Sequence, residues 1–561
     1  MKWHSLFELL VFPIGILMVA TVMVGLSNLM INPAFATLYS IQNDLLIVIA
    51  EAVSRVGTFL IVNFPLIFLL RVVSKKKGSA TTIVSAFAGY VTYAVFTMYF
   101  ARSDLGSAVY SSILGLYVTS SHLSSGVHYP LQTGIVATIL IAMITLNSFS
   151  ASRRRGEYGF FSFISKDTGC VVRTIILSAV AGVLVAYGWP YVLKGITDVI
   201  NFIALDTTNP INLVIYGIFD RLLSVFNLGT IIKTPFWYGT SGGSWVSIAG
   251  ANVTGDVNIW TSQIEIGQVA NMSGRFITPY YVLNIFAIPA MLWAFFSMQT
   301  DRLERSKLFL FYLFTTIISL LCGTILPVEL VLLTLCPLLF LFHIACTGLM
   351  YGIFQAMHVS LGFRYTGFST MAVNPGTLLE LISYAGNTQL QESIIKVVIV
   401  GAIFAVIYFF ATKIYFNYLA LDLFRTGQRD KIIKDTIETL GGINNVKFAH
   451  SSVNRLVVSL YDPTLLDVSK LNDLGSVRIY ETKAGYVYRG KFHFNKILPQ
   501  NIFYKLKNRE LKIKNYGDIK NYSIYIEGAP DWYNENIGKI IKNEDETWTA
   551  IRSRSWNSYG Y

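Results

Sequence analysis

Three ionisable residues lie within largely apolar stretches of this 561-residue chain. Arg221 follows Asp220 in the segment 209–245, Lys233 lies in the same segment, and Glu329 lies inside a longer apolar run. A charged side chain at membrane depth is costly and usually faces a partner or a polar cavity. We therefore take Arg221, Lys233 and Glu329 as candidate ligand-binding residues.

Each of the three residues also has a purely structural interpretation. Arg221 can extend to the membrane interface beside Asp220, with its apolar stem in lipid and its charge in water. Lys233 can pair with Glu329 across two hairpins, which would neutralise both charges without any ligand. The sequence leaves these alternatives open.

The composition indicates a membrane protein with a water-soluble end. Mean hydropathy is +0.53, 53% of residues are apolar and 14% are charged, against about 25% charged residues in soluble domains. Of the 44 Lys and Arg residues, 22 lie in 425–561. Residues 1–424 are therefore expected to span the membrane and the remainder to be soluble.

The membrane part is expected to contain about nine or ten transmembrane helices, because a helix needs about 20 mostly apolar residues to cross the hydrocarbon core. The candidate spans are approximately 8–28, 56–73, 82–100, 131–149, 172–194, 280–299, 307–325, 328–352 and 393–413.

Two further segments predict broken or re-entrant hairpins. Pro and Gly interrupt the moderately apolar segment 209–245, and a proline and a carboxylate interrupt 322–330. Interrupted segments at membrane depth are tolerated where they are buried or line a cavity, and in transporters they often form the substrate site. The alternative is that both are ordinary interfacial loops.

Clusters of cations predict the orientation. They follow three of the apolar segments, at 75–77, 153–155 and 302–307. Cytoplasmic loops carry an excess of Lys and Arg, so we expect the N-terminus and the C-terminal domain to be cytoplasmic. This distribution also accounts for much of the net charge of +12, and no nucleic-acid partner is predicted.

The soluble part is predicted to be a small α/β domain, a split α/β sandwich, over 425–503. Residues 429–441 are helix-like, "VNRLVVSLY" is rich in β-formers, and "VRIYE" and "GYVYRG" predict a hairpin. Residues 504–561 form a basic and aromatic extension. The four cysteines show no CxxC spacing, so neither a disulfide framework nor a metal or cofactor site is expected.

Four stretches, taken in order, resemble one known family. They are "LQTGIVATI" (131–139), "FDRLLSVFNLGTIIKTPFWYGTSGGSW" (219–245), "GTILPVELVLLTLCPLLFLFHIACTG" (323–348) and "IETLGGINNVKFAHSSVNRLVVSLYDPTLLD" (437–467). They resemble a glucose/maltose-type enzyme II of the bacterial phosphotransferase system, in which a IIC permease precedes a IIB domain. The resemblance implies a multi-pass protein of the bacterial plasma membrane.

The chain departs from this family at the positions that carry phosphoryl transfer. The family's IIB cysteine aligns with Ser452, its IIC histidine pair with Gly229 and Thr230, and the first glutamate of its Glu-Pro-x-Glu motif with Leu326. A serine without an evident base does not readily replace a low-pKa thiolate. Catalytic residues are therefore not assigned, and Asn454 and Arg455 are expected to remain from the phosphate site.

The remaining expectations follow from the resemblance. The ligand would be a hexose or disaccharide, bound by Arg221, Lys233, Thr234, Trp237 and Glu329, with Trp237 stacking on the sugar or else lying in an interfacial aromatic belt. The family's activity is a sugar phosphotransferase, which this chain would have lost while remaining a permease. A homodimer and contact with a phosphocarrier or enzyme IIA protein are implied. The alternative is a sensor or regulatory protein that does not transport.

Overall fold

The structure of the protein, a computed structural model, describes most of the membrane part and fragments of the C-terminal part. The described residues are 3–31, 44–100, 113–121, 124–154, 166–247, 250–267, 269, 273–297, 302–364, 374–415, 437–451, 455–460, 462–467, 476–480, 489–494, 540–542 and 548–550.

The described membrane part is helical. Its main helices are α1 (Trp3–Ile31), α2 (Asp44–Val62), α3 (Phe64–Lys77), α4 (Ala80–Phe100), α5 (Ile135–Arg154), α6 (Lys166–Leu205), α7 (Pro210–Val225), α8 (Gly229–Trp237), α9 (Asp256–Glu265), α10 (Thr278–Ser297), α11 (Arg302–Cys322), α12 (Ile325–Leu335), α13 (Pro337–Ala356), α14 (Leu378–Tyr384) and α15 (Gln391–Ile414).

Within the described residues, eight helices are long and apolar enough to cross a membrane, and two shorter apolar helices, Phe309–Cys322 and Ile325–Thr334, accompany them. The prediction of an α-helical polytopic membrane protein is confirmed. The bounds differ most near the second predicted span, 56–73, where α2 ends at Val62 and α3 begins at Phe64. The charged residues Glu51 and Arg55 within α2 interrupt its apolar run, so the sequence did not predict this helix as a separate span.

The break between α2 and α3 has a local cause. Pro65 occupies the first turn of α3, a position where its missing N–H costs nothing. The Asn63 side chain donates from Nδ2 to the Phe59 carbonyl oxygen at 2.9 Å and accepts from the Leu114 backbone N at 2.9 Å. The side chain of Asn63 therefore adds to the backbone hydrogen bonds at the junction, where the Asn63 backbone N also donates to the Phe59 carbonyl oxygen at 3.0 Å.

The segments predicted to be interrupted do contain breaks, although not always where expected. Between α11 and α12 the chain turns at Gly323, whose φ of +66° is in the left-handed region that favours glycine. Glu329 lies within α12 rather than in a loop. The single predicted span 328–352 is two helices, because Pro337 starts α13 directly after Cys336 ends α12.

Strands are short in the membrane part and form one larger sheet in the C-terminal part. Antiparallel hairpins pair β1 (Val118–Ser121) with β2 (Ser124–His128) and β3 (Ser244–Val246) with β4 (Asn252–Thr254). The C-terminal sheet comprises β5 (Val446–Ser451), β6 (Arg455–Leu460), β7 (Ser476–Tyr480) and β8 (Arg489–Phe494), in the order β5-β6-β8-β7.

The C-terminal sheet contains the predicted β-rich strand and an antiparallel pair near the predicted hairpin, in which β7 overlaps "VRIYE" whereas β8 shares only Arg489 and Gly490 with "GYVYRG". β6 lies within the β-rich stretch 453–461, and β7 pairs antiparallel with β8. The extension 504–561 contains one described pair, β9 (Ile540–Lys542) with β10 (Trp548–Ala550). Most of the predicted helix 429–441 lies outside the described residues, and the predicted domain boundaries at 424 and 503 remain predictions.

The chain divides into two compact units. One comprises Met1–Pro289 and Thr315–Val406, and the other comprises Ala290–Phe314 and Ile407–Tyr561. The ionisable residues selected from the membrane part of the sequence all belong to the first unit.

Glycines allow α7 and α13 to pack closely within this unit. Gly348 and Gly352 are four residues apart on α13, the spacing by which small residues let helix backbones approach in membranes. A Cβ at Gly348 would lie 2.8 Å from Cγ1 of Ile218 and 2.9 Å from the Val214 carbonyl oxygen. The contact is therefore made by backbone as well as side chains, and it fixes the position of α7.

We expect Gly348→Leu to lower the thermal stability of the purified protein in detergent, because a larger side chain would separate α13 from α7. Overpacking of this kind costs about 1–3 kcal/mol. The matched control is Gly195→Leu on α6, where an added Cβ meets nothing within 4 Å. Equal melting temperatures for the two variants would contradict the proposed close contact.

Candidate functional site

A tight turn between α7 and α8 brings two of the predicted residues together. α7 starts at Pro210 after Asn209, whose Oδ1 accepts from the Ile211 backbone N at 2.9 Å. After Val225 the chain reverses through Asn227, which has a φ of +60°, and α8 starts at Gly229. The return of the chain places Lys233 on α8 next to the end of α7.

Gln132, in the segment before α5, holds this turn. Its Nε2 donates to the Asn227 carbonyl oxygen at 2.8 Å, and its Oε1 accepts from the hydroxyl of Thr230. A Cβ at Gly229 would lie 2.6 Å from Oγ of Ser224. Gly229 and Thr230, the positions aligned with the family's histidine pair, thus serve here in the packing of the turn.

Arg221 is the centre of a buried ion cluster. Its Nη2 lies 2.5 Å and its Nε 3.1 Å from Oδ2 of Asp220, and its Nη1 lies 3.4 Å from Oε1 of Glu329. It also donates to the hydroxyl of Tyr280, which donates in turn to Oδ2 of Asp220 at 2.9 Å. Arg221 is 2% exposed, so it does not extend to the membrane surface.

Glu329 joins α12 to the cluster. Its Oε1 accepts from Arg221 and lies 3.2 Å from Nε2 of His343 on α13. Both Glu329 and His343 are buried, and within the described part of the chain Oε2 of Glu329 has no hydrogen-bond partner. Oε1 of Glu329 therefore links α12, the helix that follows the break at Gly323, to both α7 and α13.

Lys233 pairs with Asp220 rather than with Glu329. Its Nζ lies 3.7 Å from Oδ1 of Asp220, and it lies 5.3 Å and 5.7 Å from the ring centres of Trp237 and Tyr280. The pairing of Lys233 with Glu329, one of the alternatives that the sequence left open, gives way to a pairing with Asp220. The α7–α8 turn brings Lys233 beside Asp220, whereas Oε1 of Glu329 contacts Arg221.

The charges of the cluster balance. Two carboxylates, Asp220 and Glu329, lie beside two cations, Arg221 and Lys233, and the formal charges of these four residues sum to zero. A buried charge is strongly destabilising unless it is paired. The cluster is therefore a unit in which removal of one member leaves another uncompensated.

A cavity of about 50 Å³ lies against this cluster. A water molecule needs roughly 10–15 Å³, so the cavity has room for a few waters and not for a hexose ring. Its polar lining residues are Thr21, Arg221, Ser224, Lys233, Tyr280, Asn284 and Asn374. Gly229 and Leu326, which the sequence resemblance aligns with a histidine and a glutamate, also line it.

The remaining residues selected from the membrane sequence lie beside the cavity wall. Trp237 is fully buried, and its Nε1 donates to the hydroxyl of Tyr216 at 2.9 Å. Thr234 is half-buried, and its carbonyl oxygen accepts from the backbone N of Tyr238 and of Gly239, each at 3.1 Å. The structure thus brings Arg221, Lys233 and Glu329 together, and it places Trp237 in the supporting core.

Sequence reasoning did not select Tyr280 and Asn284, two further lining residues. Both lie on α10, where Leu283–Ala287 form a π-helical turn, an irregularity that is frequent at functional sites. Nδ2 of Asn284 donates to the Pro375 carbonyl oxygen at 2.8 Å, and its Oδ1 has no hydrogen-bond partner among the described residues. A buried asparagine in an apolar helix was the signal that could have identified it.

The residues expected to remain from a phosphate site are only partly described. Ser452 and Asn454 lie outside the described residues. Arg455 begins β6, and its backbone is opposite His493 of β8 in the sheet register. The last cysteine of the sequence is Cys346, in α13.

The fold and this buried cluster define a polytopic membrane protein with a polar cavity inside its helical part. No family model matches the sequence. The chain is 24% identical over 493 residues to the PTS system glucoside-specific EIICBA component of Staphylococcus carnosus (strain TM300), which covers 84% of this chain and 68% of that protein. This relative confirms the predicted resemblance to a phosphotransferase enzyme II with IIC and IIB parts.

A solved structure was also found by comparison of the coordinates. It is the crystal structure of the transporter ChbC, the IIC component of the N,N'-diacetylchitobiose-specific phosphotransferase system, with 13% sequence identity and a TM-score of 0.30. The match covers 77% of this chain and 96% of that one.

We expect Arg221→Leu to lower the free energy of unfolding by about 3–5 kcal/mol, because it leaves Glu329 as an uncompensated buried carboxylate. Thermal denaturation in detergent measures this change. Adding Glu329→Gln to that variant is expected to restore part of the loss, since the orphaned charge is then removed.

The control for this series is Arg153→Leu, which breaks the exposed ion pair of Arg153 with Asp167 and is expected to cost at most about 1 kcal/mol. A double variant that is as unstable as the sum of its two single changes would show that Arg221 and Glu329 do not act as a pair.

Proposed function

We propose that this protein is a carbohydrate permease of the enzyme II type that moves its ligand without phosphorylating it. The observation that carries the proposal is the cavity beside Arg221 and Lys233, which lies at the segments where the sequence resembles the sugar-binding part of the family. The curated relative with glucoside specificity, similar over 84% of this chain, supports a hexose or disaccharide as the ligand.

The polar groups of the cavity suit a polyhydroxylated ligand. Tyr280, Asn284 and Asn374 supply hydroxyl and amide groups, and Lys233 supplies an ammonium. Most small-molecule sites combine an apolar wall with a few placed polar groups of this kind. We assign ligand binding to Arg221, Lys233 and Asn284, with Glu329 holding Arg221 in place, and Thr234 and Trp237 as supporting residues.

The absence of phosphorylation is inferred from the residue types at the transfer positions. A phosphoryl group passed through the chain requires a nucleophile that also serves as a leaving group, such as a thiolate or an imidazole. Ser452, Gly229, Thr230 and Leu326 supply neither. Asn454 and Arg455 would then remain from the family's phosphate site without a phosphate to hold.

Transport requires the cavity to enlarge. At about 50 Å³ it is too small for a hexose ring, so ligand binding requires the segments on its wall to separate. The breaks at Asn227 and Gly323 are positions where φ is already left-handed, and element ends of this kind absorb hinge motion. We propose that a module carrying Arg221 and Lys233 moves between the two membrane faces.

The cellular context follows from the same proposal. The chain would lie in the bacterial plasma membrane with its N-terminus and C-terminal domain in the cytoplasm, as the cation clusters indicate. It would function as a homodimer, and its C-terminal domain would be the surface for any contact with a phosphocarrier or an enzyme IIA protein.

Uptake into proteoliposomes without any phosphate donor tests this proposal. We expect the full-length protein to take up at least one of labelled glucose, maltose or glucuronate above protein-free vesicles. Asn284→Leu is expected to reduce that uptake about tenfold or more, because a lost hydrogen bond to a ligand hydroxyl is worth roughly 1–2 kcal/mol. The matched control is Asn201→Leu at an exposed position of α6.

Two outcomes would contradict the proposal. Saturable binding of a sugar without any uptake would identify the protein as a sensor instead. Labelling of the chain after incubation with phosphoenolpyruvate and the general phosphocarrier proteins, with a cysteine-containing enzyme II as the positive control, would show that phosphoryl transfer is retained.

A further inference from the structure

The charges around the cavity are distributed unevenly. Arg221 and Lys233 line it, whereas none of the described lining residues is a carboxylate. Asp220 and Glu329, which balance the two cations, lie behind the wall and are fully buried. A ligand in the cavity therefore meets the positive side of the cluster first.

Asp220 is already engaged by other donors. Its Oδ2 accepts from Nε and Nη2 of Arg221 and from the hydroxyl of Tyr280. Its Oδ1 lies 3.5 Å from Oγ of Ser224 and 3.7 Å from Nζ of Lys233. Lys233 thus lies next to Oδ1 of Asp220, which has the longer contacts, whereas Oδ2 forms the shorter contacts with Arg221.

Lys233, a lining residue of the cavity, consequently has unused donor capacity. An ammonium carries three N–H donors, and the 3.7 Å separation from Asp220 exceeds the usual length of an N–H···O hydrogen bond. The rings of Trp237 and Tyr280 provide its other close contacts. An anionic acceptor in the cavity would supply the charge-assisted hydrogen bonds that Asp220 does not.

We propose that the carbohydrate bound by this site is a sugar acid, whose carboxylate is received by Lys233 with Arg221 beside it. This inference rests on the proposed permease function and narrows its substrate class. A single carboxylate matches the ammonium of Lys233. Arg221, the other cation among the described lining residues, already has its guanidinium held by Asp220, Glu329 and Tyr280.

The other end of the ligand is a polyol. Oδ1 of Asn284, a lining residue, has no hydrogen-bond partner in the described part of the chain, and a buried acceptor of this kind favours a hydroxyl donor. Thr21 and Asn374 also line the cavity. The wall therefore combines a cation for the acid group with amide and hydroxyl groups for the remaining hydroxyls.

Calorimetric binding to the full-length protein in detergent tests this assignment with four probes: glucose, glucuronate, glucose 6-phosphate and acetate. Glucuronate differs from glucose only in carrying a carboxylate at C6. We expect glucuronate to bind at least tenfold more tightly than glucose and than glucose 6-phosphate. Acetate, which has no hydroxyls for Asn284, is expected to bind at least a hundredfold more weakly.

Variants of Lys233 identify the group that recognises the carboxylate. Lys233→Met is expected to abolish the preference for glucuronate over glucose, and Lys233→Arg is expected to retain at least part of it. The matched control is Lys194→Met at an exposed position of α6. Should Lys233→Met not fold, the comparison of probes on the unmodified protein and on Lys233→Arg still decides the question.

The possible failures separate the two proposals. Tighter binding of glucose than of glucuronate would overturn the sugar-acid assignment and leave the permease function standing. Equal or tighter binding of glucose 6-phosphate or acetate would overturn the assignment of a carboxylate sugar and indicate a general anion site. Saturable uptake of glucose or maltose together with no binding of glucuronate would also overturn the sugar-acid assignment and leave the permease function standing, whereas no binding or uptake of any probe would contradict both proposals.

Discussion

The pairing of Arg221 with Asp220 and Glu329 is the interaction on which the rest of the membrane part depends. A guanidinium in a helical membrane protein needs carboxylates within reach, and here one carboxylate precedes it on α7 while the other lies on α12. The need to neutralise Arg221 therefore joins α7 to α12 through Arg221 and Glu329, two residues that are 108 positions apart in the chain. The cavity exists at the point where these helices and α10 meet around the cluster.

Charge balance also explains why Lys233 can be present at all. With Arg221 alone, the two carboxylates would leave one negative charge buried. Lys233 completes the balance, and it also lines the cavity. Under the proposed function, the same four residues would serve both stability and ligand recognition, with the two carboxylates buried and the two cations among the lining residues.

The sequence allowed the centre of the site to be predicted but not its construction. Arg221, Lys233 and Glu329 were recognisable because charges are rare in apolar segments. The partner of Lys233 was not, because it depends on the reversal at Asn227 and on the contacts of Gln132 across the chain. Tyr280 and Asn284 lie in a helix whose π-helical turn leaves no clear mark in the residue pattern.

In the fold, too, some features could be predicted from the sequence and others could not. Long apolar runs predicted most helices, whereas α2 was missed because charged residues interrupt it, and the break at Cys336 was missed because the run around it stays apolar. The pair β7–β8 lies near the predicted hairpin, but β8 shares only Arg489 and Gly490 with the predicted second strand. Local patterns therefore indicated where elements occur, and tertiary contacts decided where they end.

The glycine contact between α7 and α13 couples the positions of these two helices. Because Gly348 brings α13 against the backbone of α7, a displacement of one helix carries the other, and with them Asp220, Arg221 and His343. Glu329 lies on α12, separated from α13 by the irregular backbone at Cys336. Oε1 of Glu329 contacts this pair through Arg221 on α7 and His343 on α13, so in the proposed opening these side-chain contacts would have to separate while each helix stays intact.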